Sequence, residues 1–478
     1  MSDNITKLLN LKDEDLIIDG PVISQGVKLL TLTKKLSPTF CPICGCKMHS
    51  KGIYTRTVNH PILQDGTKLI LKINQRRWKC INPLCLYTCN DSFSFVDSNR
   101  RNTNLADLSI VLAFKDAQLS ASQIANRFSV SDTYAISLFA RYVDMPRRQL
   151  PFAVCIDEVH INISHVCNYA LVLQDFKTGE PIDMIANRKK EITEPYFSSI
   201  PASERNRVKY LISDMYRPYI AYVDQYFPYA VSVVDSFHVI KMINDKILSY
   251  LRKLQAKYRR QDEKRHEDLE QELGRHIEFT PSKEYYILKH FKWLILKNAD
   301  NICYSAESRY NHKLRRYVTI GDLERMLFDI DPNLRAIRNL KERYITFNKQ
   351  YGNNYKAARN ALKQLIELYH KCDQPIFHEV ADTLSYHFES ICNSFIMIQR
   401  MSNGSLHLSR LSNGPIESLN RIAKDLKRNG HGYRNFDHLR NRFLFSQRKN
   451  ASILAIPKSF EDACPKTDIK RGPYKKKD

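Results

Sequence analysis

Short apolar segments that end in an acid constrain the fold of this chain more than any other feature of its sequence. Residues 152–157 form an apolar segment that closes on Asp157, and residues 207–213 form a second one that Asp214 follows directly. Segments of this length, rich in aliphatic and β-branched residues, are typical of buried strands. The sequence therefore predicts a sheet with carboxylates at the ends of two strands.

The surrounding region alternates strands and helices. Three further strands are predicted at residues 169–175, 181–186 and 230–234, and two helices at residues 190–200 and 216–226. The resulting order, β-β-β-α-β-α-β, is that of the ribonuclease H-like fold, in which three antiparallel strands adjoin two strands parallel to the first. We therefore expect residues 150–248 to form a core of this kind.

Acids at neighbouring strand ends have a chemical use. Two Mg²⁺ ions about 3.5–4 Å apart can activate a nucleophile and stabilise a leaving oxygen, and such hard cations need oxygen ligands. Either Asp214 or Asp235 can be the partner of Asp157 in this arrangement. The fourth strand of the expected sheet lies about 4.8 Å from the first, whereas the fifth lies one step further away. We therefore predict that Asp214 shares an ion with Asp157.

Six of the twelve cysteines lie between positions 41 and 89. Two pairs flank a segment with hairpin-like alternation, and their members are Cys41, Cys44, Cys80 and Cys85. Four thiolates at the ends of a hairpin can hold one tetrahedral Zn²⁺. We predict a structural zinc ribbon at residues 36–98, in which Cys46 or Cys89 can replace a ligand, while His49 and His60 are weaker candidates.

The same region supplies basic side chains for a polyanion. We expect the ribbon to offer three of them to DNA, namely Arg76, Arg77 and Lys79. The formal net charge of +23 favours nucleic acid as the partner of the whole chain. General surface basicity and an anionic membrane are the alternatives. No run of about 18 apolar residues and no amphipathic anchor supports the membrane. Residues 1–35 lack a signal peptide and read as a lead-in, so a cytoplasmic, nucleoid-associated location is expected.

Residues 103–145 are helical and carry two serines in N-capping positions, Ser120 and Ser131. The two helices that they begin predict a helix-turn-helix, with Ile124, Ala125, Ile136 and Phe139 facing inward. The second helix of such a motif enters the major groove of DNA. Four residues near its start are expected to meet bases, namely Ser131, Asp132, Thr133 and Tyr134. A helical pair without DNA contact is the alternative.

The motifs around these acids resemble the ISL-three family of bacterial insertion-sequence transposases. The resemblance is carried by residues 155–158 (Cys-Ile-Asp-Glu), by residues 213–219, by the Asp-x-x-His sequence of Asp235 and His238, and by residues 412–420 (Ser-Asn-Gly-Pro-Ile-Glu-Ser-Leu-Asn). Ser418 departs from the glycine expected in the family. The resemblance covers nearly the whole chain, since the zinc ribbon and the helix-turn-helix occur in the family in the same order.

The resemblance implies that Asp157, Asp214 and Glu417 bind two Mg²⁺ or Mn²⁺ ions as a catalytic triad. It also implies that Asp235 and His238 are an auxiliary pair, with His238 either contacting DNA near the cut or holding its helix. Related transposases interrupt the catalytic fold with a helical insertion, expected here at residues 249–405. Residues 406–450 then complete the core, and a basic tail follows at residues 451–478.

Glu417 also has an interpretation from the residues alone. Asn413 or Gly414 can cap a helix and Pro415 suits its first turn, which places Glu417 near the helix start. Dipole pairing at a helix N-terminus is the alternative role for this acid. Three basic residues lie one to three turns onward and can meet phosphate, namely Lys424, Lys427 and Arg428.

The chain is thus expected to be a multidomain α+β protein whose resemblance implies a DDE transposase. Such an enzyme binds the terminal inverted repeats of an insertion sequence in double-stranded DNA, cleaves there and joins the freed ends to target DNA. Bringing two ends together favours a homodimer or a higher oligomer. The alternatives are a transposase-derived DNA-binding regulator without catalysis and a structure-specific nuclease or resolvase.

Overall fold

A computed structural model gives the fold. The residues it describes are 6–13, 15–24, 26–37, 39–63, 66–164, 167–304, 307–352, 354–402, 404–430, 433 and 435–463. The chain divides into two compact units, one formed by Met1–Pro146 with Ile422–Asp478 and the other by Arg147–Arg421. Most of the expected basic tail, from residue 464 onward, lies outside the described residues.

The first unit begins with a five-stranded sheet. Its strands are β1 (Leu16–Ser24), β2 (Val27–Lys34), β3 (Met48–His60), β4 (Lys68–Cys80) and β5 (Thr88–Asn90). The order is β1-β2-β4-β3 with β5 beside β4, and only the β2–β4 pair is parallel. Because β2 pairs with β4, the boundary expected between residues 35 and 36 falls within one sheet, and the lead-in and the cysteine-rich segment share a core.

Three helices follow in this unit, at Asn104–Ala113, Ala121–Phe128 and Asp132–Tyr142. Ser120 and Ser131 cap the second and third as expected, and Ser129 between them adopts the left-handed conformation with φ 55°. Ile124 and Ala125 are buried, but the expectation that Ile136 faces inward is wrong, since it is 38% exposed.

The buried stripe of the third helix runs through Ala135, Leu138 and Phe139 at the i, i+3, i+4 spacing of a helix face. Ile136 lies one residue off this stripe, which explains its exposure. Phe139 contacts Phe445 at a ring-centroid distance of 5.7 Å. Phe445 belongs to helix Phe436–Gln447, and a short helix, Phe460–Ala463, also lies in this unit.

The second unit is built on a sheet of β6 (Ala153–Ser164), β7 (Cys167–Asp175), β8 (Pro181–Ile185), β9 (Tyr210–Ser213) and β10 (Val231–Val234). Its order is β10-β9-β6-β7-β8, with β6, β9 and β10 parallel and β7 antiparallel to both β6 and β8. The fourth strand thus lies beside the first, and the fifth lies one step further away.

One strand differs from its prediction. Asp157 does not end β6, which continues to Ser164. Residues beyond Asp157 remain paired with β7 through His160 and Tyr169, and Ser164 pairs with Cys167 after a register shift. The parallel pairing of β6 with β9 does end early, at Cys155 and Ile212. Asp157 therefore lies just beyond the part of β6 that β9 covers.

Three helices accompany this sheet, Lys190–Ser199, Ala202–Arg205 and Arg217–Tyr226. An aromatic cluster fills the space between the sheet and two of these helices. Phe197 stacks on Tyr226 at 5.2 Å between ring centroids, and Tyr222 and Phe227 pack on the same ring. Apolar strand residues such as Ile156 and Leu171 complete this core and are fully buried.

The expected insertion is mainly helical. Its helices are Ser236–Leu273, Lys283–Phe291, Trp293–Leu296, Ile320–Ile330, Asn333–Gln350, Tyr355–Lys371, Pro375–Tyr386 and Phe388–Asn393. Two small hairpins are formed by β11 (Arg309–Asn311) with β12 (Arg316–Val318), and by β13 (Met397–Ser402) with β14 (Ser405–Arg410). The boundary expected between residues 248 and 249 falls inside the 38-residue first helix.

The helix Gly414–Asn429 follows the second hairpin, and its residues up to Arg421 belong to the second unit. No helix in the described part of the chain combines the length and the apolar character needed to cross a membrane.

Candidate active site and metal centre

The four predicted zinc ligands come together in the first unit. The sulfur atoms of Cys41, Cys44, Cys80 and Cys85 all lie within 4.8 Å of one another. Cys41 Sγ is 3.6 Å from Cys85 Sγ, and Cys44 Sγ is 3.4 Å from Cys80 Sγ. Thiolates bound at about 2.3 Å around a tetrahedral Zn²⁺ would be about 3.8 Å apart. The donor set and its spacing therefore fit one zinc ion.

Backbone hydrogen bonds shape the first cysteine turn. The N–H of Cys41 donates to Cys46 O at 2.8 Å, and the N–H of Gly45 donates to Cys41 O at 2.9 Å. Gly45 has φ 69°, a conformation that glycine adopts without strain. A backbone hydrogen bond from Cys46 is the main cause that lowers the pKa of the Cys44 thiol to about 6. A thiol with this pKa is largely a thiolate at neutral pH, the form that binds metal.

The alternative ligands lie elsewhere. Cys46 and Cys89 are outside the four-sulfur group and pack against the small cluster of Met48 and Trp78. His49 is exposed, whereas His60 is buried with its Nδ1 3.2 Å from Thr103 Oγ1. These positions favour Cys41, Cys44, Cys80 and Cys85 as the ligand set.

Asp157 is half-buried in the second unit, and each of its carboxylate oxygens accepts a hydrogen bond. The backbone N–H of Glu158 donates to Oδ1 at 2.8 Å, and Asn420 Nδ2 donates to Oδ2 at 2.8 Å. Asn420 lies one turn after Glu417 on the same helix, so it joins the first acidic strand to the helix that carries the last acid. Asn420 Nδ2 is also 3.3 Å from Glu158 O.

Asp214 follows β9 and accepts the N–H of Tyr216 through Oδ1 at 3.0 Å. This turn connects β9 to the helix Arg217–Tyr226, whose second residue is a proline suited to the first turn. Burial is the main cause that raises the pKa of Asp214, and the charge of Glu158 adds to it. His238 and Lys241 oppose this shift.

Glu417 lies in the first turn of the helix Gly414–Asn429 and is half-buried. The backbone carbonyl of Asn413 begins this helix, since it accepts the N–H groups of Ile416 at 3.1 Å and Glu417 at 3.3 Å. Among the described residues, the Glu417 carboxylate accepts no side-chain or backbone hydrogen bond. An oxygen ligand with no other partner is available to a cation.

The charges of the other two candidate acids act on Asp157. Burial, with added repulsion from Asp214, Glu158 and Glu417, raises the pKa of Asp157 to about 7. Repulsion between carboxylates is the condition that a hard divalent cation relieves. Outside the four cysteines, however, no group of three or more His, Cys, Asp or Glu side chains among the residues described is placed so that it could hold a metal ion. The acids thus share one region without being gathered into a closed coordination shell.

Asp235 and His238 occupy the start of the first insertion helix. Asp235 Oδ1 accepts the N–H of Phe237 at 3.0 Å and so caps the helix, while Oδ2 accepts the N–H of Asn413 at 2.7 Å. His238 lies near enough to Asp214 to affect its pKa, and its buried Nε2 has no hydrogen-bond partner among the described residues. Both carboxylate oxygens of Asp235 therefore accept backbone N–H groups. In His238, by contrast, the buried Nε2 has no partner among the described residues.

Residues that the sequence analysis did not single out also line this region. Glu158 forms an ion pair with Arg188 and accepts the hydroxyl of Tyr219 at 3.1 Å. The Arg188 guanidinium lies over the rings of Tyr169 and Tyr216, at 4.7 and 5.4 Å from their centroids. The i, i+3 spacing from Glu417 could have drawn attention to Asn420, but no local pattern marks Arg188.

The basic residues expected to contact DNA lie in the first unit. On β4, Arg77 is exposed while Arg76 and Lys79 are half-buried. The guanidinium groups of Arg76 and Arg77 lie over Trp78 and Tyr54 respectively. In the later helix, Lys424 and Arg428 are exposed and Lys427 is half-buried, and Arg428 pairs with Asp425 at 3.1 Å.

The four candidate base-reading residues differ in accessibility. Ser131, Asp132 and Thr133 are exposed at the start of their helix. Tyr134 is half-buried, and its hydroxyl donates to the Asp107 carboxylate at 2.8 Å. The side chain of Tyr134 therefore has a structural partner within its own unit.

Comparison with known proteins gives a family match. The family model for DDE transposases of the ISL3 type, described as "Transposase", matches residues 154–443. That range includes Asp157, Asp214 and Glu417. The transposase for insertion sequence element IS1001 of Bordetella parapertussis is 25% identical over 182 residues, which cover 37% of this chain and 40% of that relative. The match thus spans about two fifths of the curated relative's length.

Proposed function

The chain belongs to the ISL3 family of transposases, and from this premise we propose that it is a DDE transposase acting on the ends of an insertion sequence. Asp157, Asp214 and Glu417 are its catalytic acids in this proposal. The observation that carries it is the hydrogen bond from Asn420 to Asp157, which joins the helix of Glu417 to the strand of the first acid. The charges of Asp214 and Glu417 also contribute to the raised pKa of Asp157. The acids come from two neighbouring strands and a helix more than 200 residues further along the chain.

The strand order β10-β9-β6-β7-β8 supports a ribonuclease H-like core interrupted by a helical insertion. In such a core, Asp157 lies on β6 and Asp214 directly follows β9, the adjacent parallel strand. The hydrogen bond from Asn420 to Asp157 keeps the Glu417 helix beside the first strand. This arrangement supports a triad assembled from distant segments.

Three carboxylates and no cysteine or histidine ligand suit Mg²⁺ or Mn²⁺, two ions per active site. When bound, these ions supply Lewis acidity for phosphodiester chemistry. The side chains hold oxygen ligands in place, and His238 stands beside Asp214. Water attacks the phosphodiester at the element end and leaves a 3′-hydroxyl, which then attacks a target phosphodiester in line and displaces its 3′-oxygen.

Recognition of double-stranded DNA is assigned to the first unit. We propose that a zinc ribbon on Cys41, Cys44, Cys80 and Cys85 and a helix-turn-helix bind the terminal inverted repeats. Arg76, Arg77 and Lys79 would contact phosphates, as would Lys424, Lys427 and Arg428. Ser131, Asp132 and Thr133 are exposed at the start of the second helix of the motif and suit base contacts. Joining two ends favours a homodimer or a higher oligomer.

The test is cleavage of a duplex that carries the element's terminal repeat. Asp157→Asn, Asp214→Asn and Glu417→Gln each remove one charge at nearly constant volume, and each is expected to abolish cleavage with Mg²⁺ or Mn²⁺ while repeat binding is kept. Asp224→Asn is the matched control, because Asp224 is an exposed acid of the same unit. Full strand transfer by Asp157→Asn would overturn the assignment.

The same assay separates the alternatives. A transposase-derived regulator would bind the repeats and cleave nothing with either metal, even as the unaltered protein. A structure-specific nuclease or resolvase would cut branched DNA without needing the terminal repeat. Cleavage confined to repeat ends is the outcome that the proposal requires.

A further inference from the structure

A group of exposed aromatic rings lies beside the acidic centre. The side chains of Tyr169 and Tyr216 are 36% and 42% exposed, and the Arg188 guanidinium lies over both rings. The two tyrosines come from β7 and from the turn that follows β9, so the tertiary fold and not the local sequence brings them to one cation. A cation over an aromatic face is a stabilising contact.

This group is physically linked to the catalytic candidates. Arg188 pairs with Glu158, the residue after Asp157, and the backbone N–H of Tyr216 donates to Asp214 Oδ1 at 3.0 Å. A ligand on these rings would therefore lie close to Asp214, on the face of β6 that carries Glu158 and opposite the face that carries Asp157.

The exposure of the two rings contrasts with that of their neighbours. Tyr219 and Tyr222 lie on the helix that begins just after Tyr216 and are 0% and 5% exposed. These two tyrosines build the core, and the hydroxyl of Tyr219 donates to Glu158. Packing accounts for Tyr219 and Tyr222. Tyr169 and Tyr216 make edge contacts with His160 and Tyr219, each at 5.0 Å between ring centroids, but more than a third of each side chain remains exposed.

Arg188 also has donors to spare. Among the described residues only its Nη1 is engaged, by Glu158. A guanidinium has five N–H donors in a planar fork that matches phosphate. The group thus combines stacking surfaces with a cation able to contact an anion.

We propose that Tyr169, Arg188 and Tyr216 form a subsite for one unpaired nucleotide of the DNA substrate, with the base stacked on a tyrosine ring and its phosphate at Arg188. This inference rests on the proposed function, since it concerns DNA held at the acidic centre. An unpaired nucleotide fits better than duplex, because neighbouring bases cover the base faces inside a duplex, whereas stacking on protein rings needs an open face.

Binding of single-stranded DNA to the full-length protein tests the subsite. The probe is an oligonucleotide of about 12 nucleotides, a usual length for single-strand-binding surfaces, with one 2-aminopurine whose fluorescence falls on stacking. Ca²⁺ replaces Mg²⁺ to hold back cleavage. Tyr216→Leu and Tyr169→Leu are each expected to weaken binding at least about 5-fold and to reduce the quenching. Tyr216→Phe keeps the ring and is expected to match the unaltered protein.

Tyr229→Leu is the matched control. Tyr229 is a 62% exposed tyrosine of the same unit that also has a cation over its ring, from Lys209 at 5.2 Å, but it has no contact with the acidic centre. Unchanged single-strand binding in Tyr216→Leu, or an equal loss in Tyr229→Leu, would overturn the subsite. An equal loss on fully paired DNA would also do so, because duplex binding is expected to stay within about 2-fold.

These outcomes are distinct from a failure of the proposed function. If the unaltered protein cleaves no repeat ends, the catalytic assignment fails, whatever the quenching assay reports. If it cleaves normally and the tyrosine variants bind single strands as well as it does, only the subsite fails.

Discussion

The carboxylate of Asp235 accepts a 2.7 Å hydrogen bond from the backbone N–H of Asn413, which lies 178 residues further along the chain. Its second oxygen caps the long insertion helix through the N–H of Phe237. One buried side chain thus fastens the end of β10 to the turn that begins the Glu417 helix. Asp235 is 5% exposed, so water is poorly placed to replace either bond.

Replacing Asp235 is therefore expected to destabilise the second unit. Asp235→Ala leaves the buried N–H of Asn413 without an acceptor, a cost of about 1–3 kcal/mol, and also removes the cap on the partly buried N–H of Phe237. Asp235→Asn is expected to cost less, because one amide oxygen can still accept. Urea unfolding measures the effect, with Asp245→Asn, an exposed position on the same helix, as the control. An unchanged unfolding midpoint in Asp235→Ala would contradict the fastening role.

The zinc assignment predicts which cysteine substitutions lose zinc and which retain it. The unaltered protein is expected to hold one zinc per chain, and Cys41→Ser or Cys80→Ser is expected to lose most of it. Cys46→Ser and Cys89→Ser are expected to retain it, because their sulfurs lie outside the four-sulfur group. Metal analysis of the purified variants measures the zinc content. Loss of zinc in Cys46→Ser would contradict the assignment of the four ligands.

In the third helix of the first unit, we expect one residue to contribute to stability and another to DNA recognition. Tyr134→Phe removes the hydroxyl that donates to buried Asp107, and is expected to lower the unfolding free energy by about 1 kcal/mol while leaving DNA affinity unchanged. Thr133→Ala, at an exposed position, is expected to keep stability and to weaken specific binding by about 1–3 kcal/mol if it meets a base. Thermal unfolding and competitive binding to terminal-repeat DNA separate the two effects. A loss of specificity in Tyr134→Phe would instead mean that the Tyr134 hydroxyl contributes to base recognition.

Features set by local chemistry could be predicted from the sequence. Ser120 and Ser131 cap helices because their side chains reach backbone N–H groups three residues on, Gln123 and Tyr134 respectively. The first cysteine pair forms a turn through local backbone hydrogen bonds, such as that from Gly45 N–H to Cys41 O. The alternation of apolar segments predicted the order of strands and helices along the chain, and the expected ribonuclease H-like fold supplied the position of the fourth strand beside the first, which the sheet has.

Features set by pairing between distant segments could not be predicted. Asp157 lies within β6 because β7 continues its ladder to Tyr169, which no pattern inside β6 reveals. Asn420 reaches Asp157 from 263 residues away. Arg442 is another such case: its buried guanidinium donates to the carbonyl of Phe114, across 328 residues. An isolated arginine in a sequence is ordinarily interpreted as exposed.

The buried His60 is expected to make the stability of the first unit depend on pH. Burial lowers its pKa from 6.5 to about 4, so the folded state binds a proton less readily than the unfolded chain. The contribution of neutral His60 to the free energy of unfolding is therefore complete above pH 6.5. It is lost as the pH falls toward 4, and the total loss is about 3 kcal/mol. His60→Gln removes the titrating group while keeping a polar side chain beside Thr103. Thermal unfolding of both proteins across this range should show a steeper decline in the unaltered protein, although both lose zinc alike in acid. Parallel declines in the two proteins would mean that His60 binds protons equally in the folded and the unfolded state.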